Sequence, residues 1–131
     1  HNGRRRQRQM CIRDRADREM CLVVQIETPA GVAALDDILA VEGVDAVFIG
    51  PSDLSANYGH IGNPGAPEVV EAVQSSLDKI AASDKASGIM ALDPAAAKSY
   101  LDRGVDFVAV SIDARTLALS LRAIAGDMRN R

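Results

Sequence analysis

Aromatic side chains are scarce: two Phe, two Tyr and no Trp supply 3% of the 131 residues. Stacking platforms for nucleobases are therefore lacking, which argues against single-stranded nucleic acid as a partner. A core must instead be built from Ala, Val, Leu and Ile, the usual filling of parallel sheets covered by helices. Long apolar runs are lacking too. None approaches the roughly 20 residues of a membrane span, and the N-terminus has no apolar segment of the secretory type, so the chain reads as cytoplasmic with no membrane partner. The two cysteines, Cys11 and Cys21, have neither the number nor the spacing of a disulfide framework or a zinc site, and two free thiols are expected. Glycine fingerprints are absent as well: Gly31, Gly50 and Gly88 stand singly, not as G-x-G-x-x-G or a Walker loop, which removes the common nucleotide-binding readings.

Charge is distributed unevenly. Residues 1–18 hold seven Arg against two Asp, whereas the remainder holds eight basic against sixteen acidic residues. The formal net charge of −3 thus averages two different segments. A basic arm for nucleic acid is one reading of HNGRRRQRQMCIRDR, but no aromatic interleaving or downstream motif accompanies it, and the acidic remainder would repel polyanions. The composition breaks off where a regular pattern begins, and QRQMCIRDR resembles translated sequencing-adaptor sequence. Residues 1–19 are therefore expected to be a non-native or disordered segment, with the fold confined to residues 20–131.

From Cys21 onward, short β-rich runs alternate with helical stretches. CLVVQIE, DAVFIG, SGIMAL and DFVAVSID read as strands. Leu35, Ile38 and Leu39 predict a short amphipathic helix over Ala33 to Ala40, ended by Gly43. Pro67 to about Ser83 has Pro at its start, Glu68 and Glu71 in its first turn, and Val69, Val73, Leu77 and Ile80 on one face. Pro94 opens a third helix, Gly104 ends it, and Thr116 to Met128 forms a fourth. The Gly-, Pro- and Asn-rich segment GPSDLSANYGHIGNPGAP reads as one long loop. Four strands alternating with four helices predict parallel βαβ units, and no shorter repeat is evident. The pattern fits either an open doubly wound sheet or half of an eight-stranded barrel, a whole one needing about 250 residues.

In parallel α/β folds the C-terminal ends of the strands share one face. Glu27 ends the first strand and Asp53 follows the second. Two carboxylates converging there would repel each other unless a cation or proton intervenes. Mg²⁺ suits such a site, because it takes one or two protein carboxylates and leaves positions for water and substrate oxygens, including those of an α-keto acid. The bland alternative is a helix N-cap or a solvated loop acid, and Asp53 could cap a turn at Leu54 to Ala56. Tyr58 and His60, in the long loop, read as solvated residues, and Pro51 as a turn former.

The runs VQIET (24–28), VEGVDAVFIGPSDLS (41–55), GNP (62–64) and FVAVSID (107–113) occur in order and together resemble the HpcH/HpaI aldolase family. That family includes 4-hydroxy-2-oxoheptane-1,7-dioate aldolase and 2-dehydro-3-deoxyglucarate aldolase. The resemblance covers residues 21 to about 125. It implies the C-terminal half, about four βα units, of a TIM (β/α)8 barrel of the phosphoenolpyruvate/pyruvate-binding type. It further implies a class II aldolase, a lyase cleaving 4-hydroxy-2-oxo acids to pyruvate and an aldehyde with a divalent metal, Mg²⁺ foremost and Mn²⁺ or Co²⁺ as alternatives. Glu27 and Asp53 match the metal ligands and Gln25 a residue contacting pyruvate. Ser52 stands where the family usually has Ala, offering its backbone N–H to the substrate carboxylate. Met90 and Ile112 match apolar residues near the pocket, although strand-end apolar residues are more often core.

The family's catalytic base, a His–Asp pair, and an Arg at the keto oxygen belong to the N-terminal half, and nothing in residues 1–20 matches them. The resemblance therefore implies a fragment that lacks its base and is inactive alone, belonging to a homo-oligomeric full-length protein. A relative acting on CoA thioesters, of the citrate-lyase-β or malyl-CoA-lyase type, and a non-catalytic half-barrel module are the competing readings.

Overall fold

The computed structural model describes residues 15, 16 and 19–129. Most of the segment expected to stand apart from the fold, including Cys11 and the Arg-rich string, lies outside the described residues. Strands β1 (Val23–Ile26), β2 (Ala46–Ile49), β3 (Ala86–Met90) and β4 (Phe107–Ala109) form one all-parallel sheet in the order β1-β2-β3-β4. This order decides between the two architectures left open by the pattern. A doubly wound sheet needs a reversal of strand order to bring helices to both faces. Here every strand lies beside its predecessor, and crossovers of one hand then place all helices on one side, which is the winding of a barrel. The four βα units have the arrangement of half of an (β/α)8 barrel.

The register shows how the two faces differ. Ile26, Ile49, Ile89 and Val108 lie level across the sheet, and the three isoleucines are at most 2% exposed beneath the helices. The adjacent row, Gln25, Phe48, Gly88 and Phe107, faces the other way. In that row the Phe48 and Phe107 rings stack with centroids 5.5 Å apart. They meet over Gly88, where a Cβ would come within 2.2 Å of the Phe107 ring. Glycine in the middle of β3 is therefore a packing requirement.

The elements differ from expectation in several places. Thr28 caps the N–H of Gly31 at 3.1 Å and Pro29 occupies the first turn, so a helix starts before Ala33. The segment becomes two short helices, α1 (Pro29–Ala33) and α2 (Leu35–Leu39), separated at Ala34. The stretch expected to be one long loop contains α3 (Pro51–Asn57), again started by proline. The last expected strand is shorter than its apolar run, since β4 stops at Ala109 and Ser111 and Ile112 lie beyond it.

Helix α4 (Pro67–Ala81) buries Val69, Ala72, Val73, Ser76, Leu77 and Ile80 against the sheet, as its spacing predicts. Asp93 caps α5 (Pro94–Asp102) by accepting the Ala96 N–H at 2.8 Å. Helix α6 (Asp113–Arg129) follows β4. Among the described residues no helix is long and apolar enough to cross a membrane.

A short repeat does exist, contrary to the sequence reading. Gly43-Val44-Asp45 precedes β2 and Gly104-Val105-Asp106 precedes β4. Both glycines have positive φ, 89° and 95°, which turns the chain out of a helix, and both valines are buried. Each aspartate then accepts a backbone N–H from the preceding strand region: Asp45 from Leu22 at 2.7 Å, and Asp106 from Ser87 at 2.7 Å. The Ser87 hydroxyl adds a second bond to Asp106 at 2.9 Å. The Ser87 backbone N–H, then its hydroxyl, hold the Asp106 carboxyl below the usual carboxylate range. The repeat is a strand-entry clamp, used twice.

Candidate active site

Glu27 is the residue after β1, and by strand alternation it shares the open face with Gln25. The Gln25 amide Nε2 donates to Glu27 Oε2 at 2.8 Å, orienting the carboxylate. Gly50, immediately after β2, faces the same space. A Cβ there would lie 3.1 Å from Gln25 Nε2 and 3.5 Å from the Glu27 Cβ, so the bare backbone leaves room for both side chains. Pro51 then starts α3, and Asp53 falls in its first turn, where the helix dipole favours negative charge.

One side chain joins the two carboxylate-bearing segments. Asn57 Nδ2 donates to the backbone carbonyl of Glu27 at 3.1 Å and to that of Asp53 at 3.0 Å. It thereby fixes the end of β1 against α3. Sequence reading missed Asn57 because its four-residue spacing from Asp53 matters only on a helix, and that segment reads as a loop. Ser52 is exposed, and its carbonyl accepts the Ser55 hydroxyl at 2.7 Å. As first-turn residues, Ser52 and Asp53 have no carbonyl four residues back within α3 for their own N–H groups.

Neither Glu27 nor Asp53 forms an ion pair among the described residues, and no third His, Cys, Asp or Glu gathers with them there. An all-oxygen set of two carboxylates suits a hard divalent ion that keeps several water or substrate oxygens. It does not suit structural zinc, which takes four nitrogen or sulfur ligands.

A cavity of about 540 Å³ lies at the C-terminal ends of β2 and β3, walled largely by α4, α5 and the loop before α4, and neither Glu27 nor Asp53 lines it. Pro51 and Ser52 form one side, Met90 and Leu92 another, and Tyr100 and Arg115 reach it from α5 and α6. Met90 thus lines the cavity. Ile112 does not: it is 44% exposed at the start of α6, where its carbonyl accepts the Thr116 N–H and hydroxyl. His60 is bonded to Glu68 of α4, and Tyr58 packs against the core. Neither touches Glu27 or Asp53 through a hydrogen bond.

Comparison with known proteins agrees with the fold. The family profile described as HpcH/HpaI aldolase/citrate lyase matches residues 2–119. A hydroxypyruvate/pyruvate aldolase of Pseudomonas aeruginosa is 52% identical over 114 residues, 87% of this chain and 42% of the relative. A 4-hydroxy-2-oxo-heptane-1,7-dioate aldolase of Escherichia coli is 48% identical over 111 residues, 85% of this chain and 42% of the relative. The solved HpcH/HpaI aldolase from Desulfitobacterium hafniense superposes with a TM-score of 0.82 at 29% identity, covering 93% of this chain and 47% of that one. The chain spans somewhat under half the length of the curated relatives it matches. With its singly wound sheet and an ordered match over most of its length, the chain belongs to the HpcH/HpaI aldolase/citrate lyase family.

Proposed function

We propose that this chain is the metal-holding half of a class II aldolase that cleaves 4-hydroxy-2-oxo acids to pyruvate and an aldehyde. The observation that carries the reading is the placement of Glu27 and Asp53 just after adjacent parallel strands, their segments joined by Asn57, with Gly50 leaving room for the Gln25 and Glu27 side chains. The names of the relatives support the chemistry.

Glu27 and Asp53 would hold the divalent cation, Mg²⁺ first and Mn²⁺ or Co²⁺ as substitutes. When bound, the cation supplies positive charge where negative charge grows on the keto oxygen as the C3–C4 bond breaks. Gln25 keeps the Glu27 carboxylate oriented and offers its amide to the pyruvate moiety. The Ser52 N–H binds the substrate carboxylate, a backbone contact that a change from Ala to Ser preserves. Met90, at the end of β3, supplies apolar wall, whereas Ile112 lies exposed at the start of α6. The reaction needs a base to take the C4 hydroxyl proton. His60, the histidine of the described residues, is engaged by Glu68, so the base is assigned to the part of the protein outside this chain. The chain alone is then inactive, and the working unit is a homo-oligomer of the longer protein in the cytoplasm, with a small keto acid as its partner rather than nucleic acid.

The test is pyruvate release from 4-hydroxy-2-oxo acids by the longer protein, with and without chelator. Glu27→Gln and Asp53→Asn should each lower turnover by more than about 100-fold, and Asn57→Ala by about 10- to 100-fold, the scale of outer-shell support. Activity that survives complete metal removal, or full activity in both carboxylate variants, would refute the reading. Because the family also covers citrate lyases, CoA thioesters belong in the same assay; preference for them over free keto acids would move the assignment to that branch.

A further inference from the structure

Two rows of side chains lie on the open side of the sheet, one above the other. The lower row is Gln25, Phe48, Gly88 and Phe107, in which the two rings stack over the glycine. Two residues further along each strand, alternation returns Glu27, Gly50, Met90 and Ala109 to the same side. Met90 and Ala109 are paired partners at the ends of β3 and β4. Gly50 faces this side too, since a Cβ there would meet Gln25 and Glu27. The upper row is therefore uneven: a carboxylate, a gap, a long apolar side chain and a second gap. The stacked rings close the space below it with apolar surface.

The second gap is built into the strand. Ala109 is half-buried, and its carbonyl accepts the Ala91 N–H at 2.9 Å, which ties the end of β4 to β3. Ile112 has no place in the row, because β4 and its alternation stop at Ala109. Neighbouring strands lie about 4.8 Å apart, so Met90 stands two such steps from Glu27 and Ala109 three. That span suits a short substrate chain. A keto acid held at Glu27 would lie over the gap at Gly50, and the aldehyde portion would pass Met90 toward Ala109.

We infer that Ala109 is a specificity-determining residue: its small side chain keeps open the space beyond Met90 in which the carbon chain of the aldehyde lies. This inference rests on the aldolase reading. A β-branched or longer side chain at this position suits a strand, so it fills the gap without opposing the fold.

The experiment compares aldol addition of pyruvate to acetaldehyde and to pentanal, unbranched acceptors of different length, in the longer protein and its Ala109→Val, Ala109→Leu and Ala109→Gly variants. Metal-dependent exchange of the pyruvate methyl protons with solvent deuterium, followed by NMR, reports the shared chemistry without any aldehyde. Ala109→Val and Ala109→Leu should lower kcat/KM for pentanal by about tenfold or more, the scale on which an apolar pocket discriminates by size. Acetaldehyde kinetics and proton exchange should stay within about twofold. Ala109→Gly, which only adds room, should not lower the rate with either aldehyde. Equal losses for both aldehydes, no loss with Leu, or slowed exchange in all three variants would overturn the role of Ala109 and leave the aldolase reading standing. So would an unaltered protein that adds acetaldehyde but not pentanal, because the gap would then be closed already. Absence of both exchange and addition in the unaltered protein would overturn the aldolase reading and this inference with it.

Discussion

Helices α4 and α6 have the same sequence pattern and opposite fates. Val69, Val73, Leu77 and Ile80 recur every three or four residues in α4; Leu117, Leu121, Ile124 and Met128 do so in α6. In α4 these positions are at most 3% exposed, because β2, β3, α2 and α3 pack against them. In α6 no residue is buried, and the four counterparts are between 57% and 62% exposed. Periodicity therefore identifies a face that can be covered and says nothing about what covers it. The stability of this chain resides under α4, while the β4–α6 region is held by other means.

The largest expected effect tests that division directly. Ile80→Ala in α4 should cost about 2–5 kcal/mol, the sum of lost transfer energy and a residual cavity. Ile124→Ala in α6 should change stability by no more than about 0.5 kcal/mol, as for an open surface site. Urea denaturation of the 131-residue chain measures both. Equal costs would break the comparison, since they would mean that α6 is covered in solution.

A smaller effect is expected where β4 joins the sheet. Gly88→Ala places a methyl against the Phe107 ring, and overpacking costs about 1–3 kcal/mol. Phe107 is 38% exposed and can swing outward, so the lower end of that range applies. In the double variant Gly88→Ala with Phe107→Ala the methyl has nothing to strike, and the cost of the glycine substitution should largely vanish. Additive losses in a double-mutant cycle would show that the ring is not the obstacle.

The sequence was legible where local chemistry alone decides the outcome. The α4 and α5 starts at Pro67 and Pro94 are read correctly because proline at a first turn needs no tertiary support. The same signal at Pro29 and Pro51 is obscured by flanking Gly, Ser and Asn, and two short helices are misread there. Glu27 and Asp53 are visible as acidic residues at strand ends, but Asn57 and Gly50 act only through the meeting of β1 with α3, and no spacing rule announces that. Arg115 is harder still. It follows β4 by six residues and lines the same cavity as Ser52 and Met90, a meeting that no spacing rule announces.

The smallest effect concerns the clamp that starts β4. The Asp106 carboxylate is held below its ordinary value of 3.8 by the Ser87 N–H and hydroxyl, so the folded state binds this proton more weakly than the unfolded chain does. The contribution is therefore fully present above the unfolded value and is lost as pH falls from about 5 through the folded value. Asp106→Asn keeps an acceptor for the Ser87 N–H but has no charge to lose. The urea midpoint of the parent chain should consequently fall more steeply between pH 5 and 3 than that of the variant, with the two converging at the acid end. Parallel pH profiles would show that β4 does not depend on this carboxylate, leaving the Phe48–Phe107 stack and the strand ladder to hold the region that α6 does not cover.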